Sequence, residues 1–351
     1  MFRKRGVVRI GALALILAAE FALLEAGMRT AGGSEASPSF QQIFMQDPRI
    51  GHRLKPGART VYSTPEFTTE LSINAQGVRD YRDLGPKTAG QKRVVVLGDS
   101  LALSVQVRVE QTFMAQLEHR LLAADPSSTW QVINAGVQGY GPIDEWLLYR
   151  HVVDALEPDL VVILAFVAND ATEAFDKASW MTDGPPGVDA GDAAVTWVRR
   201  LARSSMVVQT ARLRWDSLRP DTAGPGAERP LASYLASPPV EVTRGLEVAR
   251  EAYGRIAAMA AARGASTVIV LMPARFQLDD GDYGRLRDHV KAAGYELVRN
   301  AATDRFRAAL APLNLPMLDL LPVMQAQPSP AGLFFQRNIH LTPRGHELVG
   351  D

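Results

Sequence analysis

Five short apolar runs, separated by longer stretches with helical periodicity, constrain the fold of this chain more than any other feature. The runs are rich in Val, Ile and Leu and occupy residues 93–97, 130–134, 159–166, 266–272 and 315–319. Near-continuous, β-branched runs are typical of strands buried on both faces, and helices between such strands provide the right-handed crossovers of a parallel sheet. The pattern predicts a three-layer α/β domain with a five-stranded parallel sheet.

The stretches around these runs complete the predicted organisation. Helices are predicted at about 110–124, 143–156, 240–263, 283–292, 300–311 and 342–350. A long stretch at about 171–239, between the third and fourth strands, is predicted to be an insertion or lid with a helix at about 194–218. Residues 34–92 carry turn formers and predict a hairpin with strands near 58–62 and 66–73. The α/β domain itself is predicted over 93–351.

The first 33 residues form a distinct segment. They carry five basic residues against Glu20 and Glu25, a net charge of +3 within a chain whose net charge is zero. Four of the basic residues precede an apolar stretch from Ile10 to Met28, whose helical length at about 1.5 Å per residue approaches the roughly 30 Å hydrocarbon core of a bilayer. The positive flank favours a cytoplasmic start and export of the residues that follow.

Glu20 leaves the nature of this segment open. It interrupts the apolar stretch, and the uncharged part from Ile10 to Ala19 has the length of a signal-peptide core. The alternatives are an uncleaved single-pass anchor, a cleaved signal peptide and a buried or interfacial helix. The first two place the rest of the chain on the periplasmic or outer side of a bacterial cytoplasmic membrane.

Charge and cysteine content exclude several classes of function. Lys plus Arg and Asp plus Glu are 38 each, so the chain lacks the excess positive charge with which proteins neutralise nucleic-acid phosphates. Cys is absent, which removes disulfides, thiolate metal ligands and a cysteine nucleophile. No His and Glu spacing resembles a metal site. We therefore expect no nucleic-acid partner, no metal and no cofactor.

Polar residues follow three of the predicted strands, at the edge of the sheet where ligands bind in open α/β folds. Gly98-Asp99-Ser100 follows the first strand, where a serine in a tight turn can expose its hydroxyl while its backbone N–H faces the same space. The turn that ends at Gly141 follows the second strand, and its glycines let the backbone approach a ligand. Asn169 follows the third strand and can direct an amide donor inward.

A histidine near the carboxyl end of the chain is the candidate base. Three of the six histidines lie in predicted helices, and His52 precedes the α/β domain. His346 lies inside the last predicted helix, whereas His340 comes just before the Thr-Pro pair that opens this helix. The loop position favours His340.

These blocks resemble the SGNH (GDSL) hydrolase superfamily over about residues 93–350. The resemblance rests on Gly98-Asp99-Ser100, on Gly139 in an Asn-Ala-Gly-x-x-Gly-Tyr-Gly turn, on Asn169 in an Asn-Asp pair and on His340. It implies a flavodoxin-like sheet and an esterase or acyl-transfer activity, with Ser100 as nucleophile and His340 as its base. It also implies an oxyanion hole formed by the N–H groups of Ser100 and Gly139 and the Asn169 side chain.

Two departures from the family pattern affect the chemistry. Members usually carry an Asp two or three residues before the histidine, but here these positions hold Asn338 and Arg337. Asn338 can accept a hydrogen bond from the imidazole but cannot stabilise the imidazolium by charge, and the comparable Asp-to-Asn change in a serine protease lowers turnover about 10⁴-fold. Residues 101–105 also lack the glycine that many relatives have soon after the serine.

Structural roles stand as alternatives for several of these residues. Ser100 could cap a helix, Asn169 could cap a loop and His340 could be a hydrogen-bonded loop histidine. Asp319, at the end of the fifth run, is either a loop-stabilising residue or a substitute for the missing acid. The turn at 136–141 has the order G-x-x-G-x-G, which does not predict a dinucleotide site.

The sequence as a whole predicts a membrane-tethered serine esterase of the cell envelope. The expected substrate is an ester there, an O-acetyl or other short acyl group on a glycan or lipid. One alternative within the same chemistry is transfer of the acyl group from Ser100 to a sugar hydroxyl. Another is a catalytically degenerate carbohydrate-binding or assembly protein, which the missing Asp would explain.

Overall fold

The computed structural model describes residues 38–185, 229–336 and 338–351, together with Glu20, Phe21, Leu23 and Gly27. Most of the predicted anchor at 10–28 lies outside the described residues, as does the predicted helix at 194–218. Within the described part of the chain, no helix has the length and apolar character needed to cross a membrane. The amino-terminal anchor therefore stays a prediction.

A five-stranded parallel sheet with the order β6-β5-β7-β8-β9 forms the centre of the fold. Its strands are β5 Gln91–Leu97, β6 Thr129–Asn134, β7 Leu160–Phe166, β8 Ser266–Met272 and β9 Met317–Asp319. In β5, Val96 pairs with Asn134 on one side and with Val162 on the other. The order corresponds to 2-1-3-4-5 in the flavodoxin-like arrangement. The predicted α/β fold with a five-stranded parallel sheet is confirmed.

The apolar runs become strands because both faces of the sheet are covered. Val95, Val96 and Leu97 of β5 have no exposed surface, and neither does Ile163 of β7. Full burial of such a side chain contributes about 1.5–3 kcal/mol. The strands therefore bring their carboxyl ends, and the polar residues that follow them, to one fixed edge.

Helices lie on both faces of this sheet. They are α1 Pro38–Gln41, α2 Ser100–Leu103, α3 Phe113–Ala124, α4 Pro142–His151, α5 Asp170–Asp176, α6 Trp180–Asp183, α7 Val240–Ala262, α8 Asp280–Ala292, α9 Ala301–Leu310, α10 Leu320–Gln325 and α11 Pro343–Gly350. The crossovers that follow β5 and β6 run in opposite directions across the sheet, so right-handed connections place α3 and α4 on opposite faces. Helix α3 packs against α11, whereas α7 packs against α4, α5 and α9.

Two antiparallel hairpins precede the sheet, where the sequence predicts one. The first pairs β1 Phe44–Asp47 with β2 Gly51–Leu54, and the second pairs β3 Arg59–Ser63 with β4 Thr68–Ser72. The first hairpin escaped prediction because its four-residue strands are too short to show alternation. Ile43 beside it is fully buried in the same core cluster as the strands of the sheet.

The predicted insertion at 171–239 is described only at its two ends. Helices α5 and α6 lie at one end, and a 3-10 turn, Arg229–Tyr234, lies at the other. At the first end, the Lys177 ammonium lies 5.3 Å from the centre of the Trp180 ring. Trp180 therefore packs on the protein rather than standing free.

Candidate active site

Ser100 begins a one-turn helix directly after β5. Asp99 caps this helix, α2, by accepting a hydrogen bond from the Leu101 N–H at 2.8 Å. The loop after β6 packs so closely on α2 that a Cβ atom at Gly136 would lie 2.4 Å from the Leu103 nitrogen. Only a glycine permits this approach. The turn holds Ser100, which is 7% exposed, at the carboxyl end of β5.

The turn after Ser100 ends at Ser104, whose φ of +58° is left-handed. For a residue other than glycine, this conformation costs about 1–2 kcal/mol. The Ser104 hydroxyl donates to the Leu101 carbonyl at 2.7 Å. The guanidinium of buried Arg79 donates to the carbonyl oxygens of Leu103 and Ser104 at 2.8 and 2.5 Å. These contacts hold Ser104 in a conformation that a glycine adopts freely.

Gly139 lies in the turn after β6, with a φ of +70°. The residue is exposed, and its N–H donates to no backbone carbonyl among the described residues. The turn is held from outside the sheet by His52 of β2. His52 Nε2 lies 3.0 Å from the Gln138 carbonyl oxygen, and the Tyr140 hydroxyl donates to the His52 carbonyl at 2.5 Å. The Gly139 N–H is thus exposed on a turn whose two neighbouring residues, Gln138 and Tyr140, are both held by His52.

Asn169 lies at the start of α5, directly after β7. Its amide donates to Glu173 Oε1 at 2.9 Å. Burial raises the pKa of Asp99 to about 7, while hydrogen bonds from the Leu101 N–H and the Asn169 side chain act in the opposite direction. Both acceptors of the Asn169 amide are therefore carboxyl groups. An oxyanion would be a third acceptor for its two N–H donors.

Five carboxyl groups crowd together on this side of the site. They belong to Asp99, Asp144, Glu145, Asp170 and Glu173, and all except half-buried Glu173 are at most 3% exposed. Burial, reinforced by the charge of neighbouring carboxylates, raises the pKa of Glu145 and of Asp170 well above their usual range and that of Glu173 to about 7. Both shifts favour the protonated form of Glu145 and Asp170.

Little positive charge balances these carboxyl groups. The ammonium of Lys177 lies 2.5 Å from Asp144 Oδ2, and no other salt bridge reaches the five groups within the described part of the chain. No set of His, Asp and Glu side chains in that part has the arrangement of a metal site. Repulsion between the carboxylates therefore adds to burial in raising their pKa values.

Asp170, one of these five groups, and Asp319 have structural contacts. Asp170 Oδ2 accepts hydrogen bonds from the Phe166 N–H and the Tyr253 hydroxyl, both at 2.9 Å. Asp319 accepts from the Leu321 N–H at 2.9 Å, caps α10 and pairs with Arg307. These contacts give Asp319 the loop-stabilising role rather than that of the missing acid.

His340 lies in the loop between Phe334 and Leu341, which pair in a short bridge. Its Nδ1 contacts Asn338 Oδ1, and its backbone N–H donates to the same oxygen at 3.2 Å. Donation from Nδ1–H leaves Nε2 unprotonated, which is the tautomer a base requires. Nε2 is buried and has no hydrogen-bond partner among the described residues, Ser100 included. In structures without substrate, the contact between a base and its nucleophile is often long and shortens only when substrate binds.

Among the described residues, no carboxylate forms an ion pair with His340. Burial alone lowers the pKa of His340 to about 4, and burial is also the main cause that lowers the pKa of His346 to about 3. His346 lies in α11, where its Nδ1 accepts from the Phe113 N–H at 3.3 Å and its ring stacks on that phenyl group. His346 is thus held in the core, where its Nε2 has no partner among the described residues, whereas His340 lies on a loop.

An apolar pocket with a volume of about 430 Å³ opens beside Asn169 and Ile339. It is lined further by Phe166, Ala168, Leu231, Ala274, Arg275, Phe276, Asp282, Arg285 and Leu286. The two arginines both pair with Asp282, which leaves one net positive charge among the lining residues. The volume lies within the range of pockets that hold small-molecule ligands.

The sequence placed Ser100, Gly139 and Asn169 after strands and His340 on the loop before the last helix, and the structure shows each of them there. It missed Glu173, which contacts Asn169, and also His52 and Arg79, which contact residues next to Gly139 and after Ser100. Glu173 carried a signal, since it lies four residues after Asn169 and so on the same face of a helix. His52 and Arg79 carried none, because their contacts join distant parts of the chain.

Several solved structures are similar to this chain at low sequence identity. A lipase/acylhydrolase from Enterococcus faecalis is 18% identical, and the alignment covers 74% of this chain and 91% of that one with a TM-score of 0.39. An acetyl xylan esterase from Geobacillus stearothermophilus is 12% identical, and its alignment covers 74% of this chain and 91% of that one with a TM-score of 0.40. TesA is 14% identical, and its alignment covers 74% of this chain and 93% of that one with a TM-score of 0.40. No curated protein matches the sequence.

The model of the GDSL-like lipase/acylhydrolase family matches residues 96–348, well over half of the chain. The matched range contains Ser100, Gly139, Asn169 and His340. The chain therefore belongs to the GDSL-like lipase/acylhydrolase family and is an ester-hydrolysing enzyme.

Proposed function

We propose that this protein is a serine esterase that works through an acyl-enzyme on Ser100. The serine Oγ attacks the ester carbonyl while Nε2 of His340 takes its proton. The N–H groups of Ser100 and Gly139 and the Asn169 amide stabilise the oxyanion. Collapse breaks the bond to the alcohol, which leaves with the proton from His340. Water then attacks the acyl-enzyme by the same route and releases the acid.

One observation carries this proposal. His340 has its Nδ1 engaged by Asn338 and its Nε2 without a described partner, on a loop whose next residue back, Ile339, lines the same pocket as Asn169. A histidine with only a structural role usually has both ring nitrogens satisfied when it is buried. His346 also has an unpartnered Nε2, but it lies inside the core helix α11, so His340 is supported as the base by its unpartnered Nε2 together with its place on a loop at the pocket.

Apolar lining of the pocket beside Asn169 supports an aliphatic acyl group as the part of the substrate bound there. An acetyl group is small compared with a pocket of about 430 Å³. Each methylene that the pocket buries contributes about 0.8 kcal/mol, which is roughly fourfold in affinity. We therefore infer an ester with a lipid-like acyl chain, in place of the O-acetyl group that the sequence suggested.

Acyl-chain selection is tested with a series of p-nitrophenyl esters from acetyl to decanoyl. We expect kcat/KM to rise along the series and then level off. Leu286→Trp, which narrows the pocket, shifts the preference to shorter chains. Arg287→Ala, on the exposed face of the same helix, serves as the control and leaves the preference unchanged. A wild-type preference for acetyl that Leu286→Trp does not alter contradicts the inference.

The proposed location is the outer face of a bacterial cytoplasmic membrane, to which residues 10–28 tether the enzyme. The basic residues before this apolar stretch support that orientation. In that location the ester belongs to an envelope lipid or glycan. Membrane fractionation of the full chain, with protease added from the outer side, tests the location.

Acyl transfer is tested separately by adding an acceptor sugar to the reaction. Detection of the acylated acceptor sugar would assign transfer in place of hydrolysis.

The nucleophile is tested by labelling the full chain with a fluorophosphonate and mapping the adduct by mass spectrometry. We expect the adduct on Ser100, and none in Ser100→Ala. A folded wild-type protein that takes no label and hydrolyses none of the esters would contradict the proposal. The catalytically degenerate binding protein would then be the better account of Asn338.

A further inference from the structure

The part of the chain that precedes the family-matched range makes buried contacts with two loops of the site. The family match begins at residue 96, whereas His52 lies on β2 and Arg79 follows the second hairpin. Arg79 is only 2% exposed. Arg79 contacts the segment that follows the proposed nucleophile, and His52 contacts the residues on either side of one proposed oxyanion donor.

Arg79 binds the segment that follows Ser100. Its guanidinium donates to the carbonyl oxygens of Leu103, Ser104 and Val107, and its backbone N–H donates to the Asn134 carbonyl at 3.1 Å. Burying a cation is costly unless its donors are hydrogen-bonded. Both terminal nitrogens of Arg79 are, whereas its Nε has no partner among the described residues. Here the acceptors are backbone carbonyls of one turn, so the cation fixes the backbone of that turn, including left-handed Ser104.

His52 binds the turn that carries Gly139. Its imidazole bonds to the Gln138 carbonyl, one residue before the glycine, and its own carbonyl accepts from Tyr140, one residue after it. The rings of His52 and Tyr140 also meet edge to face, with their centres 5.2 Å apart. The glycine itself has open space around its α-carbon, so these neighbours fix its N–H direction.

We infer that Arg79 and His52 are positioning residues of the active site, supplied by a segment outside the family-matched range. Arg79 fixes the turn that orients Ser100, and His52 fixes the turn that presents the Gly139 N–H. The inference rests on the roles proposed above for Ser100 and Gly139. Because oxyanion donors act only within about 2.7–3.1 Å of the oxygen, loosening either turn lowers kcat more than it raises KM.

Arg79 is tested with a rescue experiment on the full chain. Arg79→Met is expected to lower kcat at least about tenfold. Adding Ser104→Gly restores part of this loss, because glycine adopts the left-handed turn without help from the guanidinium. Arg93→Met is the matched control, since Arg93 is 3% exposed and also donates to backbone carbonyls, those of Leu156 and Gly85, away from the site. It lowers the thermal stability but leaves the kcat of folded enzyme unchanged.

His52 is tested with His52→Phe, which keeps an aromatic ring beside Tyr140 and removes the hydrogen bond to Gln138. We expect kcat to fall roughly tenfold with little change in KM. Gln46→Ala is the control, because Gln46 is exposed and pairs with His52 across the hairpin.

If Arg79→Met does not fold, Arg79→Lys, which keeps the charge with fewer donors, replaces it in the Arg79 experiment.

Hydrogen exchange read by mass spectrometry separates this inference from the proposed function. We expect faster exchange at 100–107 in Arg79→Met and at 137–141 in His52→Phe. If wild type is active but Arg79→Met and Arg93→Met lose equal fractions of kcat, the positioning role is overturned and the esterase stands. If wild type neither labels nor hydrolyses esters, the proposed function fails, and unchanged exchange in the variants overturns the positioning role as well.

Discussion

Ser100 and His340 lie on two sides of the site that differ in their chemistry. On the serine side, Asp99 and Glu173 surround the Asn169 amide with carboxyl groups whose pKa values are raised to about 7. On the histidine side, Asn338 supplies a neutral amide, and burial lowers the pKa of His340 to about 4. Negative charge thus gathers beside the expected oxyanion and is missing beside the expected imidazolium.

Because of this difference, the proposed reaction depends on the protonation of Asp99 and Glu173 on the serine side and of His340 on the other. Below about pH 7, Asp99 and Glu173 take up protons and stop competing with the oxyanion for Asn169. Above about pH 4, His340 is neutral and can accept the serine's proton. If both sides act as proposed, we expect catalysis only between these values.

The largest change is expected from giving the base side the charge it lacks. Asn338→Asp places a carboxylate against Nδ1 of His340, which raises the pKa of this imidazole above about 4. Ester turnover is expected to rise, by between about tenfold and about 10⁴-fold. Steady-state kinetics and an NMR titration of His340 measure both effects. Asn338→Ala is the control, and equal turnover in wild type and Asn338→Asp would show that this position does not orient the base.

The second-largest change is expected from removing the donor on the serine side. Asn169→Ala is expected to lower kcat about 10²–10³-fold, because one oxyanion donor is lost. Asn300→Ala, at the start of α9, tests whether loss of any asparagine at a helix start has this effect. A fall of less than about threefold at Asn169 would mean that its amide serves only the carboxyl groups.

A smaller effect is expected in the pH dependence. We predict a bell-shaped profile of kcat/KM, with an acid limb near pH 4 from His340 and a basic limb near pH 7 from Asp99 and Glu173. Glu173→Gln cannot ionise, so it moves the basic limb upward and raises activity roughly tenfold at pH 8. Rates measured from pH 3.5 to 9 test this. An optimum above pH 8 in wild type is incompatible with the comparison.

The smallest effect is expected in stability. The folded-state pKa of Glu173 is raised from 4.5 to about 7, so the folded state holds this proton more tightly than the unfolded chain does. The resulting stabilisation is complete below about pH 4.5 and is lost as the pH rises through about 7. Glu173→Gln removes it, so the free energy of unfolding shifts in favour of the variant by at most about 1.4 kcal/mol per pH unit in this window.

Urea denaturation at pH 5 and pH 7.5 measures this shift. Glu247→Gln, at an exposed position of α7, is the control and should show no such dependence. A difference between Glu173→Gln and wild type that is the same at both pH values would mean that Glu173 is already ionised at pH 5.

Sequence was sufficient for the features that depend on local pattern. The apolar runs at β5 and β7 are continuous because both faces of these strands are buried, so their position and type followed from composition alone. The turns with Ser100 and Gly139 follow strands directly, which placed them at one edge. Asn338 was predicted to accept from His340, and the structure shows that contact.

Sequence was insufficient where a contact joins residues far apart. Nothing in the residues around Arg79 indicates that its guanidinium ends among the carbonyls after Ser100. Likewise, Asp99 and Glu173 are ordinary acidic residues in the sequence, and their raised pKa values arise from burial created by tertiary packing. The left-handed conformation of Ser104 also depends on such contacts.

The contact between His52 and Gln138 joins residues 86 positions apart, and its consequence concerns the order in which the protein folds. The ribosome releases the amino-terminal hairpins first, but Ile43 and Leu54 have no core to enter until β5 and β6 have followed. The hairpins are therefore synthesised early but dock on the sheet late. In an exported chain the hairpins would reach the far side of the membrane unprotected, and the Gly139 turn would be fixed only when they dock.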